Sequence, residues 1–263
     1  MVTIGIGKIL ILMVLVFLAG FIDSIAGGGG LISLTSYYAV GLPPVYAIGN
    51  NKFSSTFGTI FATINYARNK KIVWRIALSS VLFCLVGSFL GAQIALRYAD
   101  TLLRYVLLVI LPVLTVFTLK KKKNRSVNLI KVVGENPLTL EVPASAYILI
   151  ALLAFLIGLY DGFFGPGAGT FYTLLFSILG LPMIYAAGTT KVLNLTSNIA
   201  AFMTFILNGN ILYSVGIPCV FASILGNIMG SNLAIKRDTG FIRKVLVLVI
   251  ALLYIKIVME FFL

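Results

Sequence analysis

The stretch GFIDSIAGGGGLISL, Gly20–Leu34, places an aspartate and four consecutive glycines inside an otherwise apolar segment. A carboxylate is costly in hydrocarbon, and a glycine run frees backbone polar groups that lipid cannot satisfy. A helix that only had to cross a bilayer would need neither feature. The stretch therefore predicts a break in a membrane helix that serves some other purpose.

The composition indicates the class of protein. The chain has 263 residues, of which 60% are hydrophobic and only 10% are charged, and its mean hydropathy is +1.09. A soluble domain needs more charge to cover its surface, and uncharged runs of about 18 residues or more recur along the chain. We expect an all-α polytopic membrane protein. The first apolar run leads into the Asp-Gly element rather than into a cleavage site, so we expect it to be retained as a helix.

Several functions are disfavoured by the same composition. The net charge of +13 does not indicate nucleic-acid binding, because the basic residues lie between hydrophobic spans, where they act as topology signals. The chain has no histidine, and Cys84 and Cys219 lack the spacing of a disulfide or metal site. We therefore predict a protein that is not an enzyme, has no catalytic residues, metal or cofactor, and contacts the lipid bilayer and not nucleic acid.

The chain contains an internal repeat. The segment GLPPVYAIGNNK, Gly41–Lys52, matches GLPMIYAAGTTK, Gly180–Lys191, without a gap at an offset of 139 residues (191 − 52). Chance does not hold one register over the length of chain that follows, so the two halves are copies of one unit. Small-xxx-small pairs at aligned positions predict close helix contacts: Gly87, Gly91, Gly226 and Gly230.

The opening stretch has a counterpart in the second copy. Upstream of the matching segments the offset becomes 138 (161 − 23), which aligns Asp23 with Asp161. The counterpart is GLYDGFFGPGAGTF, Gly158–Phe171, where GPGAG replaces GGGG. The apolar pieces that follow, residues 31–41 and 170–180, are about 11 residues long, or roughly 16 Å as helices, which is half a bilayer. We predict half-helices or re-entrant arms there.

The repeat predicts the domain organisation. Residues 1–119 form a first membrane repeat, residues 120–143 a basic cytoplasmic linker and residues 144–263 a second membrane repeat. Each half begins with a helix that ends in the Asp-Gly element, which makes about eight long spans plus two Gly-broken half-helix hairpins. Besides the N-terminal helix, the long spans are predicted near residues 44–67, 72–96, 101–119, 144–164, 183–207, 213–235 and 241–262.

The distribution of charge predicts the orientation. If each broken hairpin returns the chain to the side from which it entered, the two repeats are inverted, and one side of the membrane receives the basic loops 68–75, 120–131 and 236–244. If each half crosses an even number of times, the basic residues divide more evenly. Because basic loops stay in the cytoplasm, we expect two inverted repeats in the plasma (inner) membrane, with both termini extracytoplasmic. Inverted repeats with broken helices are typical of secondary transporters.

Four ionisable residues remain inside the predicted spans: Lys52, Lys191, Asp23 and Asp161. A charge in the membrane indicates a functional site, because a partner, water or ligand must offset its cost. The two lysines could reach a shared cavity on their flexible stems and bind a small anion. Each aspartate could cap the half-helix after its glycine loop, pair with a lysine and hold the repeats together, or take part in proton coupling.

The glycine loops could complete an anion site. Their N–H groups can converge on a ligand, and the half-helices that follow would present their positive dipole ends to it. Asparagines along the lysine faces would add hydrogen bonds, with interhelical contact as the alternative role. The candidate substrate-binding residues are Lys52, Lys191, Gly28, Gly29, Gly30, Gly165, Gly167, Gly169, Asn51, Asn194 and Asn198. The candidate coupling or loop-orienting residues are Asp23 and Asp161.

The same motifs resemble those of a known family. DSIAGGGGLISL, GLPPVYAIGNNKFSSTFGT, YDGFFGPGAGTF, AAGTTKVLNLTSNIAA and GNIMGSNLAIKR cover both halves. In these motifs the sequence resembles the sulfite exporter TauE/SafE family, also called the toluene-sulfonate uptake permease family of probable membrane transporters. The resemblance implies a plasma-membrane carrier of small, usually sulfur-containing anions such as sulfite, sulfonates or sulfoacetate, coupled to an ion gradient.

The leading hypothesis is a secondary transporter of small anions that works by alternating access and couples transport to protons. An anion channel is the alternative within transport, and it would show flux without accumulation against a gradient. A non-transporting membrane scaffold is the alternative from another class, and it would tolerate neutral substitutions at all four buried charges. The sequence leaves a homodimer open.

Overall fold

The computed structural model describes residues 4–119, 129–132, 140–237, 240–242, 244–245 and 247–248. The described part of the first half contains α1 (Ile6–Ala26), α2 (Gly30–Ala39), α3 (Pro44–Arg68) and α4 (Trp74–Leu119). The second half contains α5 (Ala144–Phe163), α6 (Ala168–Leu179), α7 (Met183–Leu207) and α8 (Tyr213–Lys236). Between the halves, β1 (Lys131–Val132) and β2 (Leu140–Glu141) pair antiparallel, which the sequence did not predict.

The helices confirm the predicted all-α membrane protein. Within the described residues, five helices are long and apolar enough to cross a membrane: Ile6–Ala26, Trp74–Tyr98, Ala144–Phe163, Met183–Leu207 and Tyr213–Lys236. The helix α3 has the same 25-residue length as α7, but it carries Asn50 and Asn51 where α7 carries threonines, so it is more polar. Most of the predicted span 241–262 lies outside the described residues. The total of eight spans stays a prediction.

Both predicted helix breaks occur. The helix α1 ends at Ala26 and is followed by Gly27 and Gly28 at φ values of 79° and 86°. In the second half Gly165 and Gly167 have φ values of 99° and 83° before α6 begins. Residues with a β-carbon are strained in this left-handed region, which explains why glycines fill these positions. The half-helices that follow, α2 and α6, are 10 and 12 residues long.

One predicted boundary does not coincide with the end of a helix. The spans expected at residues 72–96 and 101–119 belong to one helix, α4, which runs for 46 residues. At 1.5 Å per residue it is about 69 Å long, roughly twice the thickness of a hydrocarbon core. The intervening sequence RYADT, residues 97–101, contains no glycine or proline that would end a helix locally.

The two halves interlock through corresponding helices. The helix α1 packs along α8, and its counterpart α5 packs along α4. Both contacts need glycine: a β-carbon at Gly91 would lie 2.0 Å from the carbonyl oxygen of Leu159, and one at Gly230 would lie 2.2 Å from that of Phe21. The predicted close packing of the small-xxx-small pairs is therefore confirmed, and it takes place between the repeats.

The corresponding helices α3 and α7 run antiparallel. Near the start of α3, a β-carbon at Gly49 would lie 2.4 Å from the carbonyl oxygen of Asn210, just after the end of α7. Near the start of α7, a β-carbon at Gly188 would lie 2.2 Å from the carbonyl oxygen of Lys71, just after the end of α3. Each helix therefore begins where the other ends.

The ends of α3 and α8 and residues 129–132 of the linker lie at the same end of the molecule. Asn65, near the end of α3, donates a hydrogen bond of 2.8 Å to Ser231, near the end of α8. The backbone N–H of Ile130, in the middle of the linker, donates to the carbonyl of Leu179 at 2.9 Å. The helix α7 begins a few residues after Leu179 and contacts Lys71, so residues 129–132 of the linker lie near the ends of α3 and α8.

Candidate functional site

Lys52 and Asp161 form an ion pair inside the helical bundle. The ammonium nitrogen lies 2.7 Å from Asp161 Oδ1, and the side chains are 2% and 6% exposed. Lys52 also donates a hydrogen bond to Asn198 Oδ1 at 3.1 Å, and the Ser197 hydroxyl donates one to Asp161 Oδ2. Each charged group thus has a partner besides the opposite charge, which is the condition under which a buried ion pair is tolerated.

Lys191 and Asp23 form the corresponding pair. The ammonium nitrogen lies 2.7 Å from Asp23 Oδ2 and also donates to the backbone carbonyl of Asp23. That carbonyl lies in the last turn of α1, where the helix dipole favours a positive charge. Asp23 Oδ1 accepts a hydrogen bond of 3.3 Å from the N–H of Gly29, the residue before α2. Asp23 therefore pairs with a lysine and also binds the loop residue that precedes α2, while the N-terminus of α2 itself has no side-chain cap.

Both pairs cross between the repeats. Lys52 on α3 of the first half binds Asp161 on α5 of the second, and Lys191 on α7 of the second half binds Asp23 on α1 of the first. The structure thus places the four predicted charges in two separate pairs, rather than two lysines in one open cavity. Removing one partner of a buried pair typically costs about 3–5 kcal/mol, so each pair fastens the two halves together.

The tips of the two broken hairpins touch each other. A β-carbon at Gly27 would lie 2.3 Å from the carbonyl carbon of Gly169, and one at Gly30 would lie 3.5 Å from the Cα of Pro166. A β-carbon at Gly165 would lie 3.1 Å from both Lys52 Nζ and Asp161 Oδ1. The loops therefore come together beside the ion pairs, and their glycines allow the backbones this close approach.

The remaining predicted glycines flank the starts of the half-helices. Gly28 lies in the first loop with positive φ, Gly29 precedes α2, and Gly30 is its first residue. Gly167 precedes α6 in the left-handed conformation. The positive ends of α2 and α6 thus point to the region of the pairs, although the one loop N–H bonded to a carboxylate, that of Gly29, is directed to Asp23.

The predicted asparagines are buried in the same region. Asn198 binds Lys52, and Asn51 accepts a hydrogen bond of 2.6 Å from Ser33 on α2. Asn194 lies against Gly169, where a β-carbon would be 2.5 Å from its Nδ2, and its Oδ1 has no partner. Asn51 thus joins a half-helix to the lysine-bearing helix, which is the interhelical role considered for such residues.

Sequence reasoning missed Ser197, which binds Asp161 directly. Its counterpart in the first half is Gly58 (197 − 139). Residues that differ between the copies give no repeat signal, so only its place one residue before Asn198 could have indicated it. Within the described residues, no group of histidine, cysteine, aspartate or glutamate side chains could hold a metal ion.

A small polar cavity adjoins the Asp23–Lys191 pair. Its volume is about 20 Å³, which is room for about one water molecule. Asn227 on α8 lines it, is only 2% exposed and has an Oδ1 without a partner. The polar or glycine residues of the wall are Gly20, Asp23, Gly29, Gly30, Ser33, Ser55, Thr59, Ser223 and Asn227.

An all-helical membrane protein with broken helices and charged pairs between its halves has the features of a membrane transporter. Comparison with known families agrees: residues 12–257 match the sulfite exporter TauE/SafE family, and the chain belongs to that family. The recognition made from the sequence motifs is thereby confirmed.

Named relatives match nearly the whole chain. The chain is 33% identical over 251 residues to the probable membrane transporter protein YfcA of Escherichia coli (strain K12), covering 95% of this chain and 89% of that protein. It is 34% identical to the probable membrane transporter protein ORF9 of Sinorhizobium sp, covering 95% and 92%. It is 31% identical to a probable membrane transporter protein of Haemophilus influenzae, covering 98% and 97%. No solved structure matches the chain.

Proposed function

We propose that this protein is a secondary transporter of small, sulfur-containing anions such as sulfite, sulfonates or sulfoacetate, and that it has no enzymatic activity. The observation that carries the proposal is that each half of this membrane protein supplies a lysine that forms an ion pair with an aspartate of the other half. Charges at such positions are expensive in a membrane, and a scaffold could replace them with apolar residues at little cost.

The chemistry of the pairs favours an anion as substrate. Lys52 and Lys191 each present an ammonium group to two oxygen acceptors. A sulfite or sulfonate group carries the same kind of charged oxygen as a carboxylate, so it can take the place of an aspartate at the lysine. The α2 and α6 N-termini nearby add positive dipole ends. An anion would therefore bind by displacing an aspartate.

Alternating access follows from the way the pairs join the halves. Breaking and reforming the more exposed Lys191–Asp23 pair would let one half move against the other around the substrate. The proposal takes residues 1–119 and 144–263 as inverted repeats around the linker 120–143, and the antiparallel course of α3 and α7 supports this.

The clustering of basic segments supports one orientation. The ends of α3 and α8 and residues 129–132 of the linker lie at one end of the molecule, which we propose to be the cytoplasmic end, with both termini extracytoplasmic in the plasma membrane. The family's name concerns sulfite, and the relatives are named as membrane transporters. The family's name therefore supports a sulfur oxyanion as substrate, and the relatives' names support transport.

The test is uptake of labelled sulfite and a panel of sulfonates into proteoliposomes. The wild-type protein should accumulate one of these anions against its gradient and saturate. Lys191→Ala should lose uptake while eluting as a folded protein, and Lys8→Ala, which removes an exposed lysine, should transport normally. Unchanged uptake by folded Lys191→Ala would refute the site. Non-saturating flux without accumulation would indicate a channel instead.

A further inference from the structure

The two ion pairs differ in their access to water. The Asp161 side chain is 6% exposed, whereas the Asp23 side chain is 21% exposed. Their lysine partners are equally buried, at 2% and 1%. Both oxygens of Asp161 are engaged by side chains, Lys52 and Ser197. The two pairs therefore differ in the exposure of their carboxylates and not in the exposure of their lysines.

Sequence differences between the repeats explain this asymmetry. At the positions of Ser197 and Asn198, the first half has Gly58 and Thr59 (offset 139). Gly58 carries no hydroxyl, and a β-carbon there would lie 2.2 Å from Ser223 Oγ of α8, so a serine would require the Ser223 side chain to shift. No hydroxyl can therefore reach Asp23 from that position as Ser197 reaches Asp161. The space beside Asp23 remains as the cavity lined by Ser55, Thr59 and Asn227.

The size and charge of the cavity limit what it can admit. At about 20 Å³ it holds about one water molecule, so a sulfite or sulfonate does not fit without rearrangement. A metal cation would lie close to the Lys191 ammonium, which already neutralises Asp23. A proton carried by water meets neither obstacle, because it binds the carboxylate itself.

Few other groups can act on Asp23. Among the described residues, Lys191 of α7 is the charged group that contacts it. The helix α3 contributes Tyr66, whose hydroxyl donates to the carbonyl of Ser24, and Lys52, which is engaged by Asp161. From α2 and α8 the cavity receives only glycines, hydroxyls and the amide of Asn227, and α6 meets the end of α1 through backbone at Gly169.

We propose that Asp23 is the protonation site that couples anion transport to protons, and that Asp161 stays ionised as the fixed partner of Lys52. The inference rests on the proposed anion transport. A proton from the solution, relayed through water in the cavity, would bind the Asp23 carboxylate, and the freed Lys191 ammonium would bind the anion.

The electrostatics make protonation of Asp23 and binding of the anion at Lys191 mutually dependent. An anion at Lys191 beside an ionised Asp23 would suffer repulsion, and a protonated Asp23 without an anion would leave the lysine unpaired. Binding both together keeps the net charge of the site unchanged. Proton and anion therefore favour each other's binding, which is the linkage that symport requires.

The test compares Asp23→Asn, Asp161→Asn and Glu141→Gln in proteoliposomes with an imposed proton gradient. Glu141 is an exposed carboxylate in β2 and serves as the matched control. For one proton per monovalent anion, a gradient of one pH unit should change wild-type accumulation by about tenfold. We expect this response to persist in Glu141→Gln and, for whatever transport remains, in Asp161→Asn. It should vanish in Asp23→Asn, whose neutral amide imitates the protonated acid and still permits anion exchange.

A second readout does not depend on transport. Infrared titration should show protonated-carboxyl absorption that is smaller in Asp23→Asn than in the wild type and unchanged in Asp161→Asn, because the other five of the seven acidic residues (7 − 2) are common to all three proteins. If Asp23→Asn does not fold, the neutral pair Asp23→Asn/Lys191→Met supplies the reference spectrum. Equal absorption in the wild type and Asp23→Asn, or a gradient response that persists in Asp23→Asn, would overturn the inference. Failure of the wild type to transport any anion would instead refute the proposed function.

Discussion

Lys52 of the first repeat lies 2.7 Å from Asp161 of the second, 109 residues away along the chain. Lys191 and Asp23 repeat this relationship in reverse. Because each repeat supplies the cation of one pair and the anion of the other, neither half can complete its own charge balance. The pairs therefore couple the position of one half to that of the other, which is the property that an alternating-access transporter needs.

The first prediction concerns the contribution of the Lys52–Asp161 ion pair to stability. Lys52→Met should lower the free energy of unfolding by about 3–5 kcal/mol, because it leaves Asp161 buried without its counter-charge. The double variant Lys52→Met/Asp161→Asn should recover most of that loss. Thermal unfolding in detergent measures both, with Lys8→Met as the control for loss of an exposed lysine. Equal stability of the single and double variants would contradict the pairing.

The second prediction concerns the glycine contacts between the repeats. Gly91→Ala should destabilise the protein, because its β-carbon would lie 2.0 Å from the carbonyl oxygen of Leu159 on α5. Gly7→Ala is the matched change, since no atom lies within 4 Å of a β-carbon there. It should leave the melting temperature unchanged or raise it slightly, as alanine favours a helix over glycine. Similar melting temperatures for the two variants would argue against the close contact of α4 and α5.

The third prediction concerns the orientation of the repeats. Asn69 and Asn208 occupy aligned positions just after α3 and α7, and both side chains are accessible. Inverted repeats place them on opposite sides of the membrane. A membrane-impermeant maleimide added to intact cells should label Asn208→Cys and spare Asn69→Cys until the cells are opened. The natural cysteines Cys84 and Cys219 are buried and should add little background. Labelling of both variants from outside would rule out the inverted arrangement.

Much of the fold follows from the sequence. The half-helices could be predicted, because the glycines from Gly27 to Gly30 allow a backbone conformation that a lipid-exposed helix cannot adopt. The continuous helix α4 could not be predicted. The charged residues near Arg97 interrupt the hydrophobic run, but they do not end the helix. The β1–β2 hairpin escaped notice because its strands are only two residues each.

The site was predictable as a set of residues but not as an arrangement. The four charges stand out because charge inside an apolar span is costly. Which lysine meets which aspartate depends on how the halves pack, and sequence spacing carries no information on that. Ser197 and Asn227 were missed because a hydroxyl or amide in a membrane helix is common and becomes notable only beside a charge.

Transport by the neutral double variant Asp23→Asn/Lys191→Met tests the central claim most directly. Removing both charges avoids an unpaired buried charge, so the variant should fold and remain about as stable as the wild type. Our account predicts that it accumulates no sulfite or sulfonate above protein-free liposomes, because the ammonium that binds the anion is gone. Wild-type accumulation by this variant would show that the pair only holds the halves together, and would contradict the account.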